Sequence, residues 1–211
     1  MCTSAEVIQF TPMASSSADH FLKNNEEDGD YNQYWYSPKT IEQMVLDMVN
    51  QSQCSDSSYC IAFLSTPSLY FSLPSEIRDT SYVFDFDRKW SSDRGFVFYD
   101  FNKTDENIPS SLLNNCDMVV IDPPFITREV WEKYSITANL LLKKGHNSIT
   151  KEPNGKIIGT TVFENKDMMT ELLNTKQNAF MPSIPNLVYQ YNLYTNYNSI
   201  VFNKKNPEIP E

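Results

Sequence analysis

The sequence has few of the residues that build metal sites or disulfide frameworks. It contains two histidines and four cysteines, and no two cysteines have CxxC spacing. These residues support neither a zinc site nor a set of disulfides, so we expect no bound metal and reduced thiols. The sequence also lacks a run of about 18 apolar residues and a charged-then-apolar leader, which predicts a cytoplasmic protein that does not enter a membrane.

Basic residues are outnumbered by acidic ones. The chain has 17 Lys and Arg residues against 27 Asp and Glu residues, which gives a net charge of −10. A protein that binds nucleic acid usually carries a basic face, which displaces counterions from the phosphates. The charge therefore argues against a nucleic-acid partner and favours a basic protein partner.

The length and composition allow one α/β domain. With 211 residues, 40% of them hydrophobic, the chain can bury one sizeable core but is too short for two. Residues 1–32 are polar with little apolar periodicity, and we interpret them as a flexible N-terminal extension. The predicted domain covers residues 33–202, and residues 203–211 are predicted to form a loose C-terminal tail.

The apolar pattern of this domain alternates between helices and short strands. Ser37 and Pro38 are typical of a helix start, and apolar spacing of i, i+3, i+4 and i+7 predicts a helix over residues 38–51. Further helices are predicted at 67–76 after Thr66, from Thr127 to near Gly145, and after Asn165. The predicted strands are residues 60–64, 82–87, 95–100, 118–121, 156–162 and 188–197.

These elements predict a doubly wound sheet. Continuous apolar runs are typical of buried parallel strands, whereas the alternation in residues 188–197 is typical of a half-exposed antiparallel strand near an edge. Only about eight residues separate 82–87 from 95–100, fewer than a helical crossover needs, so either a single turn joins these strands or one is not parallel. The predicted fold class is α/β, with a mostly parallel doubly wound sheet and an antiparallel C-terminal end.

The domain is organised around one strand and the turn that ends it. Met118 to Ile121 are four apolar residues suited to a strand buried on both faces. Pro123 lacks the N–H that a sheet ladder needs, so the chain must leave the sheet there. Asp122 is thereby held at the carboxyl end of a central strand, with the aromatic Phe125 close behind it.

Polar side chains also follow the other predicted parallel strands. In doubly wound sheets ligands bind beyond the carboxyl ends of the strands, where the winding direction reverses. A single aspartate there is often only a turn or cap residue, but polar groups at several strand ends are more informative. The candidates are Ser65 and Thr66, Asp85 and Asp87, Asp100, and Asp122.

The segment Asp122-Pro123-Pro124-Phe125 resembles the [Asn/Asp]-Pro-Pro-[Tyr/Phe] motif of S-adenosylmethionine-dependent methyltransferases that act on amino groups. Five further segments resemble, in order, the translation elongation factor 1-alpha lysine methyltransferases, formerly described as N6-adenine-specific DNA methyltransferase 2. These segments are Tyr34–Ser37, Phe63–Leu73, Val83–Asp87, Phe96–Asn102 and Asn186–Tyr197. The resemblance covers about residues 33–202 and implies a Rossmann-like class I methyltransferase fold, S-adenosylmethionine as cofactor and elongation factor 1-alpha as protein substrate.

The resemblance also implies which residues hold the methylated amine. The Asp122 carboxylate and the Pro123 carbonyl would both accept hydrogen bonds from the amine and direct its lone pair at the methyl group. Phe125 would lie against a lysine stem or stack on a base. The aromatic segment Tyr34, Trp35 and Tyr36 would close the substrate side, or would pack the first helix onto the sheet.

On the cofactor side, the implied ligands follow the first four strands. Asp85, with Asp87 in reserve, would hold the ribose hydroxyls. Asp100 would accept from the adenine amino group, with Phe101 or Tyr99 beside the ring, and Asp122 would lie near the reacting methyl group. The methionine carboxylate would meet Ser65 or Thr66, in a loop that has no glycine where most such enzymes have several.

Three functions stay open from the sequence. The first is a protein-lysine N-methyltransferase, which the acidic charge and the flanking segments favour. The second is an adenine-amino methyltransferase on DNA or RNA, because the tetrapeptide suits either amine. The third is a binding module that keeps the methyltransferase fold without its chemistry.

Overall fold

The computed structural model describes residues 13–55, 58–104, 106, 108–148 and 150–210, with the side chains of residues 13–16 left out. Its centre is a seven-stranded sheet with the strand order 3-2-1-4-5-7-6. The strands are β1 (Ile61–Leu64), β2 (Tyr82–Asp85), β3 (Phe96–Phe98), β4 (Met118–Ile121), β5 (Lys156–Val162), β6 (Lys176–Gln177) and β7 (Tyr191–Thr195). Strands β1 to β5 pair in parallel, and β7 runs antiparallel to β5 and β6. The predicted fold class is confirmed.

Helices cover both faces of the sheet. They are α1 (Met13–Asn24), α2 (Pro38–Ser52), α3 (Pro67–Tyr70), α4 (Ser75–Arg78), α5 (Arg128–Leu141) and α6 (Lys166–Leu173). Because side chains alternate along a strand, Phe63 and Val120 pack with helix α2, while Leu64 and Ile121 pack with α5 and α6. Both faces of the central strands are therefore buried, as the continuous apolar runs predict.

The short connection between β2 and β3 contains a single helical turn. Val83 pairs with Phe96 in parallel register, and a 3-10 turn at Arg88–Trp90 joins the two strands. The structure thus selects the first of the two predicted alternatives. The carboxyl ends of β1, β2, β3 and β4 therefore lie along one edge of the sheet, where the predicted polar residues follow each strand.

The N-terminal extension is partly folded. The prediction of a flexible segment is wrong for residues 13–24, which form α1, while residues 1–12 lie outside the described residues. Ala18 and Phe21 are 0% and 3% exposed, and the Phe21 ring packs against Trp35 and Trp90. This segment is mostly polar, but its few apolar residues, such as Ala18 and Phe21, lie on one side of the helix. This short apolar stripe is enough to pack one helix against the domain.

We expect Phe21→Ala to lower the free energy of unfolding by about 3 kcal/mol, because the substitution removes a buried aromatic ring from a packed cluster. Urea denaturation followed by circular dichroism measures this change. The matched control is His20→Ala, an exposed neighbour on the same helix, for which we expect a change of less than about 0.5 kcal/mol. Equal stability of the two variants would show that α1 contributes nothing to the fold.

The C-terminal part of the domain is more buried than its sequence indicates. Strand β7 is buried along its whole length, because it lies between β5 and the two-residue edge strand β6. The predicted half-exposure of this strand is therefore wrong, whereas its antiparallel pairing next to the sheet edge is confirmed. The predicted loose tail is also wrong at Asn206, which is 3% exposed and donates to the Met181 carbonyl at 2.9 Å.

The predicted helix caps are only partly correct. The Ser37 hydroxyl accepts a hydrogen bond from the Thr40 backbone N–H at 3.1 Å, as predicted for an N-cap. Thr66, Thr127 and Asn165 precede helices but form no side-chain cap bond. The helix predicted over residues 67–76 is divided into α3 and α4, because Pro74 cannot continue a helix. Helix α5 ends at Leu141 rather than near Gly145.

No helix among the described residues is long and apolar enough to cross a membrane.

Candidate active site

A cavity of about 260 Å³ opens at the carboxyl ends of the parallel strands. It lies beside the β1–β4 pair, where the strand order reverses, which is the usual ligand site of this architecture. Most of the residues predicted from the sequence line it. They are Tyr34, Trp35, Ser65, Asp85, Asp87, Asp100, Phe101, Asp122, Pro123 and Phe125.

Two predicted residues are not part of the cavity lining. Tyr36 is 2% exposed and packs in the core cluster with residues of α2, so the structure places it behind Asp122 and fits the predicted alternative of packing rather than a substrate contact. Thr66 is also 2% exposed, and its hydroxyl has no hydrogen-bond partner among the described residues. Of the two hydroxyls predicted for the methionine carboxylate, the structure brings only that of Ser65 to the cavity.

The Asp122 carboxylate is held from behind. The Tyr36 hydroxyl donates to Asp122 Oδ2 at 2.6 Å and also contacts Thr160 Oγ1 at 2.7 Å. Burial raises the pKa of Asp122 to about 7, although the hydrogen bonds from Tyr36 and Thr160 oppose this rise. Thr160 lies on β5, which pairs with β4, so two rigid elements fix the position of the carboxylate.

Two carboxylates follow β2 and differ in their surroundings. Burial raises the pKa of Asp85 to about 7, although the Asp87 backbone N–H donates to this carboxylate at 2.8 Å. Asp87 accepts from the Lys89 backbone N–H and from the Lys89 ammonium, both at 2.9 Å. Burial alone would raise the pKa of Asp87, but the bonds from Lys89 outweigh it and lower that pKa. Asp87 is thus already paired, whereas Asp85 has capacity for a ligand.

The loop after β1 takes a glycine-like conformation without a glycine. Ser65 has a φ of 58°, in the left-handed region that most side chains avoid. Its backbone N–H donates to the Phe84 carbonyl at 2.9 Å, and its hydroxyl contacts the Tyr134 hydroxyl at 2.7 Å. These two bonds hold Ser65 in the strained conformation, so the backbone turns toward the cavity as a glycine-containing loop would.

The end of β3 supplies a polar and aromatic corner. Asp100 is half-buried, and its Oδ1 accepts from the Asn102 backbone N–H at 2.9 Å. The Phe101 ring lies 5.9 Å from that of Tyr134, and both line the cavity. Tyr99 also lines the cavity, while its hydroxyl contacts Thr137 Oγ1 at 2.9 Å. A carboxylate beside flat rings suits a planar ring with an amino group.

Residues 27–35, which we call the N-terminal strap, lie on the other side of the cavity, and residues 30–35 line it. Asn32 in the strap donates its side-chain amide to the Pro124 carbonyl. Gln33 donates to Asp87 at 3.3 Å and accepts from the Lys89 ammonium at 3.0 Å. The strap therefore contacts both the loop after β4 and the loop after β2, which lie on different sides of the cavity.

Several lining residues were missed from the sequence. They are Asp30, Tyr31, Asn32 and Gln33 in the strap, Tyr134 on α5, and Ile184, Leu187 and Tyr191 near the start of β7. The strap lay mostly inside the segment predicted to be flexible. Tyr191 was assigned to a half-exposed strand, but it is 8% exposed and lies at the cavity wall. Only the high aromatic content of these segments could have indicated them.

The charge of the cavity is uniformly acidic. Its lining residues, all in the described part of the chain, include five aspartates and no Lys, Arg or His. Lys89 pairs with Asp87 but lies outside the lining. A site of this composition attracts cations and repels phosphate groups.

Comparisons with known proteins identify the family of this chain. The sequence model of the family described as "Probable N6-adenine methyltransferase" matches residues 27–199. EEF1A lysine methyltransferase 1 of Mus musculus is 30% identical over 179 residues, which are 82% of this chain and 77% of that protein. Protein-lysine N-methyltransferase EFM5 of Saccharomyces cerevisiae is 29% identical over 188 residues, which are 83% of this chain and 74% of that protein.

Among solved structures, the branched-chain polyamine synthase from Thermus thermophilus, in complex with N4-aminopropylspermidine and 5′-methylthioadenosine, superposes with a TM-score of 0.58. It is 13% identical in sequence, and the match covers 86% of this chain and 63% of that chain, which is less than two thirds of its length. At this identity the match shows the fold alone. The chain therefore belongs to the methyltransferase family described as probable N6-adenine methyltransferase, in agreement with the resemblance found in its sequence.

Proposed function

We propose that this protein is an S-adenosylmethionine-dependent protein-lysine N-methyltransferase whose substrate is translation elongation factor 1-alpha. The observation that carries the proposal is the cavity, whose lining in the described part of the chain has five aspartates and no basic residue. Both a lysine ammonium and a sulfonium are cations, and such a site favours them over the phosphates of DNA or RNA. The names of the relatives in mouse and yeast support the same substrate class.

The residues of the cavity fit the proposed cofactor. Asp85 is the acceptor for the ribose hydroxyls, because Asp87 is engaged by Lys89. Asp100 and Phe101 receive the adenine, and Ser65 faces the methionine part. When bound, the cofactor supplies a methyl group activated by a sulfonium. The assignment of each residue stays a prediction, as does the cytoplasmic location inferred from the sequence.

Asp122 acts on the amine mainly by positioning it. A lysine amine has a pKa near 10.4, so it must lose a proton before it can attack. With a pKa of about 7, Asp122 is a weaker base than the amine and does not deprotonate it efficiently. Asp122 and the Pro123 carbonyl instead accept the two N–H bonds of the neutral amine, which leaves the lone pair directed at the methyl group.

The aromatic rim of the cavity favours a lysine side chain. Phe125 is 52% exposed, and Tyr34, Trp35 and Tyr191 form the neighbouring wall. Aromatic faces bind the apolar stem of lysine and attract its ammonium, and they also exclude water from the reacting nitrogen. Exclusion of water lowers the pKa of a lysine amine, which helps it to lose its proton.

Label transfer in a cell lysate tests the proposal. The purified protein is incubated with methyl-labelled S-adenosylmethionine and lysate, and the product is divided between protease and nuclease treatment. We expect protease-sensitive label on a protein of the size of elongation factor 1-alpha, with mass spectrometry placing it on lysine. Label on nucleic acid would support the adenine alternative. Tight cofactor binding without any transfer would instead support the noncatalytic binding module.

A further inference from the structure

Tyr36 lies behind the catalytic aspartate rather than beside the substrate. Its hydroxyl donates to Asp122 Oδ2 at 2.6 Å, yet Tyr36 is 2% exposed and does not line the cavity. Thr160, the second partner of this hydroxyl, is 1% exposed. Neither residue can reach a ligand in the cavity, so any effect of either on the reaction passes through Asp122.

Counting the donors gives this network a direction. A tyrosine hydroxyl has one proton, and an ionised carboxylate can only accept. While Asp122 is ionised, Tyr36 therefore donates to Asp122, and the single proton of the Thr160 hydroxyl is available to the Tyr36 oxygen or to the same carboxylate. The two hydroxyls form a buried hydrogen-bond network behind the Asp122 carboxylate, and bonds in such a network strengthen one another.

Both hydroxyls are attached to rigid elements. Tyr36 directly precedes Ser37, the N-cap of α2, and the Ser37 backbone N–H donates to the Ser183 carbonyl at 2.8 Å. Thr160 follows Gly159, which pairs with Ile121 at the end of β4. The direction from which Tyr36 approaches Asp122 is therefore set by the fold and not by a mobile loop.

We propose that Tyr36 and Thr160 are positioning residues, which hold the Asp122 carboxylate in one orientation and leave its Oδ1 for the substrate amine. The inference rests on the proposed function, since it assigns Asp122 to the amine. It differs from the sequence interpretation, in which Tyr36 contacts the substrate directly. Tyr36 instead acts on the substrate amine indirectly, through the Asp122 carboxylate.

The tyrosines near Asp122 do not titrate around pH 7, so they do not interfere with a measurement of the Asp122 titration. Those that face it are Tyr36 before α2, Tyr134 on α5 and Tyr191 at the start of β7. Burial raises the pKa of each tyrosine above its usual value, so all three stay neutral around pH 7. The titration near pH 7 in this part of the site then belongs to Asp122, with Asp85 as the other carboxylate of similar pKa.

The main test is Tyr36→Phe, which removes the hydroxyl and keeps the ring. The carboxyl signal of Asp122 is followed by carbon-13 NMR, with Asp122→Asn used to assign it. We expect its titration midpoint to rise by about one pH unit, because the lost hydrogen bond had favoured the ionised form. The turnover number at pH 7 is expected to fall about 5-fold, as the ionised fraction of Asp122 does, and to recover toward the wild-type value at pH 9, with an unchanged KM for the cofactor.

The matched control is Tyr197→Phe. Tyr197 donates to Asp47 Oδ2 at 2.5 Å, which is a second buried Tyr–Asp pair, and neither residue lines the cavity. We expect no shift of the Asp122 signal in this variant. Thr160→Val should shift the midpoint in the same direction by a smaller amount, and Thr160→Ser, which keeps the hydroxyl, should restore it.

An unchanged Asp122 titration in Tyr36→Phe, or an equal shift in Tyr197→Phe, would overturn the inference. The NMR measurement uses no substrate, so it is separate from the test of the function. A wild-type protein that transfers no methyl group would refute the proposed function. In that case a shifted carboxyl signal in Tyr36→Phe would still support the positioning of Asp122.

Discussion

Replacing Asp122 with alanine is expected to lower methyl transfer at least about 100-fold, the largest effect that we predict for a single substitution. The substitution removes the carboxylate at the end of β4 that would orient the amine. The Tyr36 hydroxyl keeps Thr160 as a partner, so we expect the fold to persist. Single-turnover transfer of labelled methyl to elongation factor 1-alpha measures the loss, and thermal unfolding verifies the fold.

The comparison of Asp122→Asn with Asp122→Ala separates two roles of this residue. An amide oxygen still accepts a hydrogen bond from an amine, but an amide is not a base at neutral pH. If Asp122 only positions the amine, Asn should retain clearly more activity than Ala. Equal losses in the two variants would show instead that proton removal by the carboxylate is essential.

A surface aspartate provides the control for this pair. Asp79 lies at the end of α4, away from the cavity, and forms an exposed ion pair with Arg94 at 2.7 Å. Asp79→Ala should leave transfer unchanged within about twofold, because exposed ion pairs contribute little. Undiminished transfer by Asp122→Ala would contradict the catalytic assignment, whichever amine is methylated.

Replacing Asp85 with asparagine is expected to weaken cofactor binding by about 10- to 100-fold. Two ribose hydroxyls donating to one carboxylate form charge-assisted bonds, each worth roughly 1.5–3 kcal/mol, and an amide replaces them only in part. Isothermal titration calorimetry with S-adenosylmethionine measures the change in Kd. The turnover number at saturating cofactor should change much less, since Asp85 is assigned to binding.

The pH dependence of binding follows from the same carboxylate. Burial raises the pKa of Asp85 to about 7, so lowering the pH through 7 protonates it and removes the charge that the hydroxyls prefer. Cofactor affinity should therefore be weaker at pH 6 than at pH 8, and Asp85→Asn should lose most of this difference. Asp122→Asn is the comparison, because that carboxyl also has a pKa of about 7. A Kd that does not respond to Asp85→Asn would move the ribose contact to Asp87.

The sequence allowed the central part of the fold and most of the candidate site to be predicted. Continuous apolar runs such as Met118–Ile121 identify strands buried on both faces, and in a parallel sheet the residues after such strands converge by geometry alone. Asp85, Asp100 and Asp122 were found in this way. The local sequence pattern is sufficient to identify candidate site residues that directly follow a buried parallel strand.

The parts that were missed depend on contacts between distant segments. Asn32 reaches the Pro124 carbonyl across 92 positions of sequence, and Tyr36 meets Thr160 across 124. The hydrophobic periodicity of a segment does not indicate which distant residues it will contact. The burial of β7 likewise depends on β6, a strand of only two residues that has no signal of its own. Tertiary contacts therefore determine where the N-terminal strap lies, that Tyr191 is part of the cavity wall, and that Tyr36 lies behind Asp122.

The left-handed conformation of Ser65 has a consequence for how such proteins are recognised. A sequence search for methyltransferases that requires glycines in the first loop would miss this chain. Here the left-handed backbone conformation is present at a serine, so the residue type does not reveal it. The same angle limits which substitutions this position tolerates without strain. Glycine, asparagine and aspartate enter the left-handed region at low cost, whereas β-branched residues do not. A β-branched residue at position 65 is therefore expected to strain this loop, whereas glycine or asparagine is not.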